Sequence, residues 1–208
     1  MKQSSRYAIS PKKGSDGKTL KEFRVWNGIH SRAGNPEVNL GIYTGVKVSE
    51  NWCCYDNFYL DMQTKPFFHS VDLNGRPFVM DKDFFSPVGN PVYSNETTVC
   101  VPNEINSLLC KSTVKRKYDL PMGIVYSNDG RRYRLGVTFP TANKKTKEFK
   151  TLEAAVNYYL QHKKLRIISV VDSYRGLVED KVCDYLLSID LNTWYEDQWE
   201  RKYNNTGM

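Results

Sequence analysis

Residues 78–110 constrain the fold more than any other part of the sequence. The run Phe78–Asp83 is apolar at first and ends in acidic residues, which is typical of a strand followed by a turn. The β-branched run Thr97–Val101 predicts a second strand, and Pro102 suits the first turn of a helix from about Asn103 to Cys110. This segment is therefore predicted to form a strand, a loop, a strand and a helix.

Two carboxylates and one amide of this segment are candidate metal ligands. Asp81 and Asp83 are two residues apart on a strand end, so they share a face and repel each other unless a cation is present. On the predicted helix, Asn106 lies about 100° from Ile105 and can point back at the strand that carries Asp81. The alternatives are a simple turn acid at Asp81 and a helix-surface amide at Asn106.

The second half of the chain predicts a sheet packed on a helix. Asp129-Gly130 separates the runs Met122–Tyr126 and Arg131–Phe139, and Asp-Gly between alternating runs predicts a hairpin. A third strand around Lys147–Lys150 leads through Thr151, a plausible N-cap, into an amphipathic helix. Three strands on one helix are expected.

Charge is distributed unevenly along the chain. The 208 residues carry a net charge of +7, yet residues 111–150 alone carry eleven Lys or Arg and three Asp or Glu, a net +8. Residues 1–34 carry +6, whereas residues 35–110 carry −5. Basic segments on both sides of an acidic one are typical of a protein that grips a polyanion and performs metal chemistry on it. The alternative is two solvated basic faces.

Six basic residues are candidate polyanion contacts. In the predicted strand Arg131–Phe139, alternation places Arg132 and Arg134 on the face opposite Tyr133 and Leu135. The candidates are Arg131, Arg132, Arg134, Lys115, Arg116 and Lys117. The alternative for the two arginines of the strand is an exposed sheet face.

Short motifs follow one another over residues 20–175. In the first part these are Trp26 and Arg32, Tyr43-Thr44-Gly45, Glu50-Asn51-Trp52, Phe58, Met80-Asp81-Lys82-Asp83, Gly89-Asn90, Tyr93-Ser94, Glu96-Thr97, Val101-Pro102 and Ile105-Asn106. Their order resembles the HNH-type endonucleases of T7-like phages, often labelled homing endonucleases. Residues 119–160 resemble the AP2-type DNA-binding module fused to many of them, through Leu120-Pro121, Gly123-Ile124-Val125, the hairpin and Glu153-Ala154-Ala155.

The resemblance implies a ββα-metal fold, in which two strands and a helix surround one divalent ion. Asp81 and Asn106 match the metal ligands, and oxygen ligands of this kind suit Mg²⁺ or Mn²⁺. The implied reaction is hydrolysis of a phosphodiester bond in double-stranded DNA, by nicking or by a double-strand break. Neither a small-molecule substrate nor a membrane partner is expected.

Two positions depart from the HNH pattern. Lys82 stands where the water-activating His is usual, and a protonated Lys cannot accept a proton; contact with a phosphate is the role expected of it. Thr97 stands where the middle Asn is usual, so the loop hydrogen bonds of that amide are expected to be missing. His69 and His30 are the available replacement bases, and the catalytic candidates are Asp81, Lys82, Asp83 and His69. The alternative is an HNH-derived DNA-binding or interaction protein that has lost catalysis.

The expected fold class is α+β, with an HNH-like ββα-metal nuclease domain, an AP2-like domain of a three-stranded sheet plus helix, and a helical tail. The predicted boundaries are a basic flexible arm at 1–18, the nuclease domain at 19–112, the DNA-binding domain at 113–175 and the tail at 176–208. Five cysteines without a Cys-x-x-Cys spacing favour reduced thiols. Because the sequence has neither a long apolar run nor a signal peptide, the cytoplasm is the expected location. The resemblance to phage endonucleases implies that this is the cytoplasm of an infected bacterial host cell.

Overall fold

The computed structural model describes residues 9–34, 45–87, 90–109, 120–137 and 147–204. These residues form helices and small sheets, so the predicted α+β class is confirmed at that level. The chain divides into two compact units. The N-terminal unit comprises residues 1–106 with 176–182, and the C-terminal unit comprises residues 107–175 with 183–208.

Three helices build most of the N-terminal core: α1 (Lys21–Gly34), α2 (Glu50–Cys53) and α3 (Tyr55–Thr64). Helical spacing places Trp26 and Ile29 of α1, and Phe58 and Met62 of α3, on faces that are fully buried. The indole nitrogen of Trp26 donates a hydrogen bond of 2.8 Å to the backbone oxygen of Trp52, so this buried polar group is satisfied. The aromatic core therefore fixes α1 against α2 and α3.

Two small sheets follow in the N-terminal unit. Strand β2 (Val79–Asp81) pairs antiparallel with β4 (Val99–Val101), and Asp81 lies opposite Val99. The predicted order of strand, loop, strand and helix is present, and α4 (Asn103–Asn106) packs against β2. The helix predicted from Asn103 to Cys110 is shorter than expected, because turns follow at 107–109; Cys110 lies outside the described residues.

The loop between β2 and β4 contains a strand that the sequence did not predict. Strand β3 (Val92–Tyr93) pairs in parallel with β1 (Lys47–Val48). Local patterning gave no signal for β3 or for its pairing with β1, because each strand has only two residues and the partners are 45 positions apart. The run Tyr43–Val48 predicts a turn and a short strand, and β1 lies at the end of this run; residues 43 and 44 lie outside the described residues.

The C-terminal unit contains the predicted three-stranded sheet. Strands β5 (Ile124–Tyr126), β6 (Tyr133–Leu135) and β7 (Glu148–Phe149) are antiparallel, with β6 in the centre. Helix α5 (Leu152–Tyr174) packs on this sheet, and its N-cap is Thr151, whose hydroxyl accepts a hydrogen bond of 3.2 Å from the Ala154 amide. The buried core consists of Ile124, Phe149, Ala155, Tyr159 and Tyr195.

The last two helices are α6 (Asp180–Ser188) and α7 (Leu191–Asn204). Tyr195 of α7 is buried, and its hydroxyl donates a hydrogen bond of 2.8 Å to the backbone oxygen of Met122. This part of the predicted helical tail packs on the core of its own unit. None of the helices in the described ranges combines the length and the apolar character needed to cross a membrane.

Part of the predicted flexible arm is held against the N-terminal unit. The amides of Ile9 and Ser10 donate to the two carboxylate oxygens of Asp56 on α3, at 3.1 and 2.7 Å. Lys13 and Thr19 form an antiparallel bridge, which closes a small hairpin. The sequence predicted a basic flexible arm over 1–18, and these bonds were not visible in it because they join residues far apart in the chain; residues 1–8 lie outside the described residues.

Candidate functional site

Asp81 is the central acid of the candidate site. It ends β2 and is partly buried, and its Oδ1 accepts a hydrogen bond of 2.5 Å from the backbone amide of Asp83. Burial raises the pKa of Asp81 from the ordinary value of 3.8 to about 6, and the negative charge of Asp83 adds to the shift. A carboxylate in this environment gains stability from a nearby cation.

Lys82 points into the N-terminal unit and is only 5% exposed. Its Nζ lies 2.6 Å from Oδ1 of Asp83, whose side chain is 71% exposed, and 5.3 Å from the ring centre of Tyr93. The ammonium group therefore neutralises Asp83 and stacks on an aromatic ring. This placement explains how a lysine is accommodated beside Asp81, and it differs from the exposed position expected of a phosphate contact.

Arg32 approaches the same tyrosine from α1. Its Nε donates a hydrogen bond of 3.1 Å to the hydroxyl of Tyr93, and the guanidinium carbon lies 5.4 Å from the ring centre. Two cations, Arg32 and Lys82, thus share Tyr93 of β3. Sequence reasoning missed this cluster because its members come from three separate parts of the chain.

Asn106 is the last residue of α4, the helix that packs against β2. Its backbone amide donates to the carbonyl of Pro102 at 3.0 Å, and the residue is half-buried. The structure therefore brings the helix that carries Asn106 to the strand that carries Asp81. The apolar neighbour Ile105 is fully buried and anchors this helix.

The two candidate histidines lie elsewhere in the N-terminal unit. His69 is exposed, and its Nε2 lies 3.4 Å from Oε1 of Glu22 in the first turn of α1. His30 contacts the backbone oxygen of Trp52 through Nε2 at 3.0 Å, and its ring packs on Trp26. Within the described ranges, no contact joins His69 to Asp81.

Thr97 holds the loop between β3 and β4. Its hydroxyl donates to the backbone oxygen of Val92 at 2.6 Å and accepts from the amide of Ser94 at 3.2 Å, while the Thr97 amide donates to the Ser94 hydroxyl at 3.2 Å. Side-chain hydroxyl groups thus hold this loop although the amide usual at position 97 is absent. A hydroxyl group both donates and accepts hydrogen bonds, so the short side chains of Ser94 and Thr97 are enough to hold the loop.

The charged face of the C-terminal sheet is the second candidate site. Tyr133 and Leu135 pack toward the core, as alternation predicted. Arg134 donates from Nε to the backbone oxygen of Tyr126 at 3.2 Å, and Arg132 lies 3.9 Å from the carboxylate of Glu148. Glu148 is opposite Arg134 in the register and offsets part of the positive charge, which the sequence pattern did not reveal.

The other basic candidates differ in what the structure describes. Arg131 is exposed in the hairpin turn, where its amide donates to Oδ1 of Asp129 at 3.1 Å. Strand β6 ends at Leu135, and Val137, which continues the alternation, is 44% exposed. The predicted contacts Lys115, Arg116 and Lys117 lie outside the described residues, as do Thr138 and Phe139.

The oxygen ligands available at Asp81 suit a metal ion that keeps most of its water ligands. In the part of the chain that is described, no group of three or more His, Cys, Asp or Glu residues is arranged to enclose a metal ion. Mg²⁺ is commonly bound through one or two carboxylates together with water and substrate phosphates, so it needs no such group. The partly buried carboxylate of Asp81 is one oxygen ligand of this kind.

Comparisons of the chain with protein-family models, with curated proteins and with solved structures gave no match. The functional argument therefore depends on the residues of this chain and on their geometry.

The pH dependence of stability provides a first test of the environment of Asp81. Because the pKa is higher in the folded state, the folded protein holds this proton more tightly, and its stability falls as the pH rises from about 4 to about 6. Above that window the ionised carboxylate costs about 3 kcal/mol. We expect Asp81→Asn to increase the free energy of unfolding by about this amount at pH 7.5 and to change it little at pH 4.

Urea unfolding in EDTA, at both pH values, measures this difference. Asp180→Asn, which alters an exposed acid, is the control. An equal effect of Asp81→Asn at pH 4 and pH 7.5 would contradict the raised pKa.

Proposed function

We propose that this protein is a DNA endonuclease of the HNH type, which hydrolyses phosphodiester bonds with one divalent ion. The observation that carries the proposal is the partly buried carboxylate of Asp81 at the end of β2. That strand is paired with β4 and covered by the helix that carries Asn106. In the proposal, the carboxylate and the amide, which lie on adjoining elements, supply the oxygen ligands of the ion.

In this proposal Asp81 and Asn106 hold Mg²⁺ or Mn²⁺. The bound ion supplies a positive charge that stabilises the scissile phosphate and the leaving oxygen. The amide of Asp83 orients the Asp81 carboxylate, and the buried ammonium of Lys82 restrains Asp83. Lys82 thus acts as a positioning residue, because its charged form cannot accept the proton of the attacking water.

The C-terminal unit supports a DNA-binding role. An antiparallel sheet of three strands packs on α5 and leaves Arg131, Arg132 and Arg134 away from the apolar core. Such an AP2-like face would lie in the major groove and contact phosphates or base edges. Glu148 reduces the local charge, so the two arginines of the strand are expected to contribute unequally.

Plasmid cleavage tests the proposal. Supercoiled DNA is incubated with the purified protein in Mg²⁺, in Mn²⁺ and in EDTA, and the nicked and linear forms are separated on a gel. Metal-dependent conversion to either form supports the assignment, and the ratio of the forms distinguishes nicking from double-strand breaks. Failure to cleave with either metal would contradict it.

A second candidate function is DNA binding without catalysis. The observation that favours it is the arrangement beside Asp81, where Lys82 occupies the usual base position and is paired with Asp83. His69 is paired with Glu22 instead. A protein that binds duplex DNA tightly and cleaves it with neither metal would belong to this class.

The sheet face gives a prediction that holds for both candidates. If Arg132 and Arg134 each neutralise one phosphate, the double change to alanine should make the slope of log K against log salt shallower by about 1.8. If they contact base edges, each change should cost about 1–3 kcal/mol on a cognate site and little on random DNA. Fluorescence anisotropy with specific and random duplexes at several salt concentrations separates the two cases.

Lys164→Ala is the matched control for this measurement, because Lys164 is an exposed cation of the same unit on α5. It should leave the salt slope unchanged. Wild-type binding by the double arginine variant on both duplexes would mean that this face is solvated surface.

A further inference from the structure

Residues Gly176–Val182, here called the docking segment, follow α5 in the chain but pack within the N-terminal unit. Val178 and Val182 are buried, whereas Leu177 and Asp180 are exposed. The docking segment therefore has an inward face. Such a face indicates that the docking segment packs at a specific place in the N-terminal unit, because a segment that only connects two helices needs no buried side chains.

Glu179 brings a charge to this inward face. Its side chain is 17% exposed; Oε2 lies 2.8 Å from Nζ of Lys181, and Oε1 is buried without a hydrogen-bond partner among the described residues. A buried carboxylate is unfavourable unless cations compensate it. Burial lowers the pKa of Lys65, and the negative charge of Glu179 opposes this shift more strongly than any other charge does.

Lys65, whose charge Glu179 favours, holds the loop between β3 and β4. Its Nζ donates to the backbone oxygen of Asn95 at 2.5 Å and to the side-chain oxygen of Asn95 at 3.2 Å. Asn95 lies between Ser94 and Thr97, whose hydroxyl groups hold the same loop. The charge of Glu179 thus supports a lysine that fixes the residues leading into β4.

Lys181 connects the docking segment to the turn after β2. Its Nζ lies 5.2 Å from the ring centre of Phe85, a cation–π distance. Phe85 comes two residues after Asp83, whose amide binds the Asp81 carboxylate. The docking segment therefore acts on both loops that border the β2–β4 pair.

We propose that the docking segment positions the candidate nuclease site, with Glu179 as its positioning residue. It orders the β3–β4 loop through Lys65 and the turn after Asp81 through Lys181. The identity of the site rests on the function proposed above, but the order of the two loops can be measured without any cleavage. A site assigned to residues 19–112 alone would then be incomplete.

Hydrogen–deuterium exchange of the full chain tests the proposal. Glu179→Gln keeps the shape of the side chain and removes its charge. We expect amide exchange to become about tenfold faster in peptides that cover 83–87 and 94–98, while exchange in β5, β6 and β7 stays unchanged. Asp180→Asn, which removes the neighbouring exposed charge, should exchange like the wild type at every position.

Lys181→Ala, at a half-exposed position, provides a second variant in case Glu179→Gln folds poorly. It should speed exchange mainly in 83–87. Combining Lys65→Met with Glu179→Gln should add little to the effect of either change on 94–98, because the two residues act as a pair. Wild-type exchange of both loops in Glu179→Gln, or a uniform increase over the whole chain, would overturn the proposal.

Cleavage kinetics separate this proposal from the proposed function. If the wild-type protein cleaves DNA, Glu179→Gln should lower kcat about tenfold and leave KM within about twofold, because the ligands of the ion remain but their loops are less ordered. An unchanged kcat in a variant whose loops exchange faster would overturn the positioning role. If the wild type does not cleave, the proposed function fails, and the exchange experiment still decides whether the docking segment orders the loops.

Discussion

Replacing Asp81 by alanine is expected to reduce metal-dependent plasmid cleavage by about a thousandfold, while the protein remains folded. Removing a group that holds positive charge at the scissile phosphate costs several kcal/mol of transition-state stabilisation. The same change relieves a destabilising burial, because ionised Asp81 is unfavourable at neutral pH. Lower activity together with equal or higher stability is characteristic of a residue that serves function at the expense of the fold.

Initial rates of nicking at saturating Mg²⁺ and a thermal melt in EDTA measure the two effects. Asp184→Ala is the control, since it removes an exposed carboxylate on α6. It should leave both the rate and the melting temperature close to those of the wild type. Cleavage by Asp81→Ala at the wild-type rate would refute the assignment of Asp81.

The second large effect is expected at Gly123, at the start of the C-terminal sheet. Its φ of 81° lies in the left-handed region, and a Cβ there would lie 2.3 Å from the ring of Tyr159. Tyr159 belongs to the buried core and cannot move away freely. We expect Gly123→Ala to lower the free energy of unfolding of the C-terminal unit by about 3 kcal/mol, from backbone strain and overpacking together.

Gly130 provides a matched control for this change. Its φ of 70° is similar, but a Cβ there would have no atom within 4 Å. Gly130→Ala should therefore cost only the backbone strain, about 1 kcal/mol. Denaturant unfolding followed by tyrosine and tryptophan fluorescence measures the free energy of unfolding of the two variants. Equal losses of stability would show that the contact with Tyr159 adds nothing to the cost of a Cβ at position 123.

The helices and the hairpin could be predicted because their signals are local. Trp26 and Ile29 of α1 are three residues apart and Phe58 and Met62 of α3 are four apart, which is helical spacing, and all four are fully buried. Asp-Gly between alternating runs predicted the hairpin, and Thr151 was correctly expected as the N-cap of α5. Each of these patterns depends on residues only a few positions apart.

The candidate site could be predicted only in part. The order of strand, loop, strand and helix located Asp81 and Asn106 on elements that pack together. The metal, the reaction and the DNA contacts remain predictions. The orientation of Lys82 toward Asp83 and Tyr93 was not predictable, because a lysine after a strand can equally face solvent.

By itself the sequence determined the α+β class and the order of the main elements along the chain. It also determined that Arg132 and Arg134 lie on the face of the strand opposite Tyr133 and Leu135. Backbone propensities and residue periodicity, which act over short distances, decide such features. Only the tertiary structure decided that Arg32 and Lys82 share Tyr93, and that Lys181 lies over the ring of Phe85, 96 positions earlier in the chain. Those contacts depend on how the chain closes on itself, and a buried charge finds its partner only when distant segments are brought together by the packing of the core.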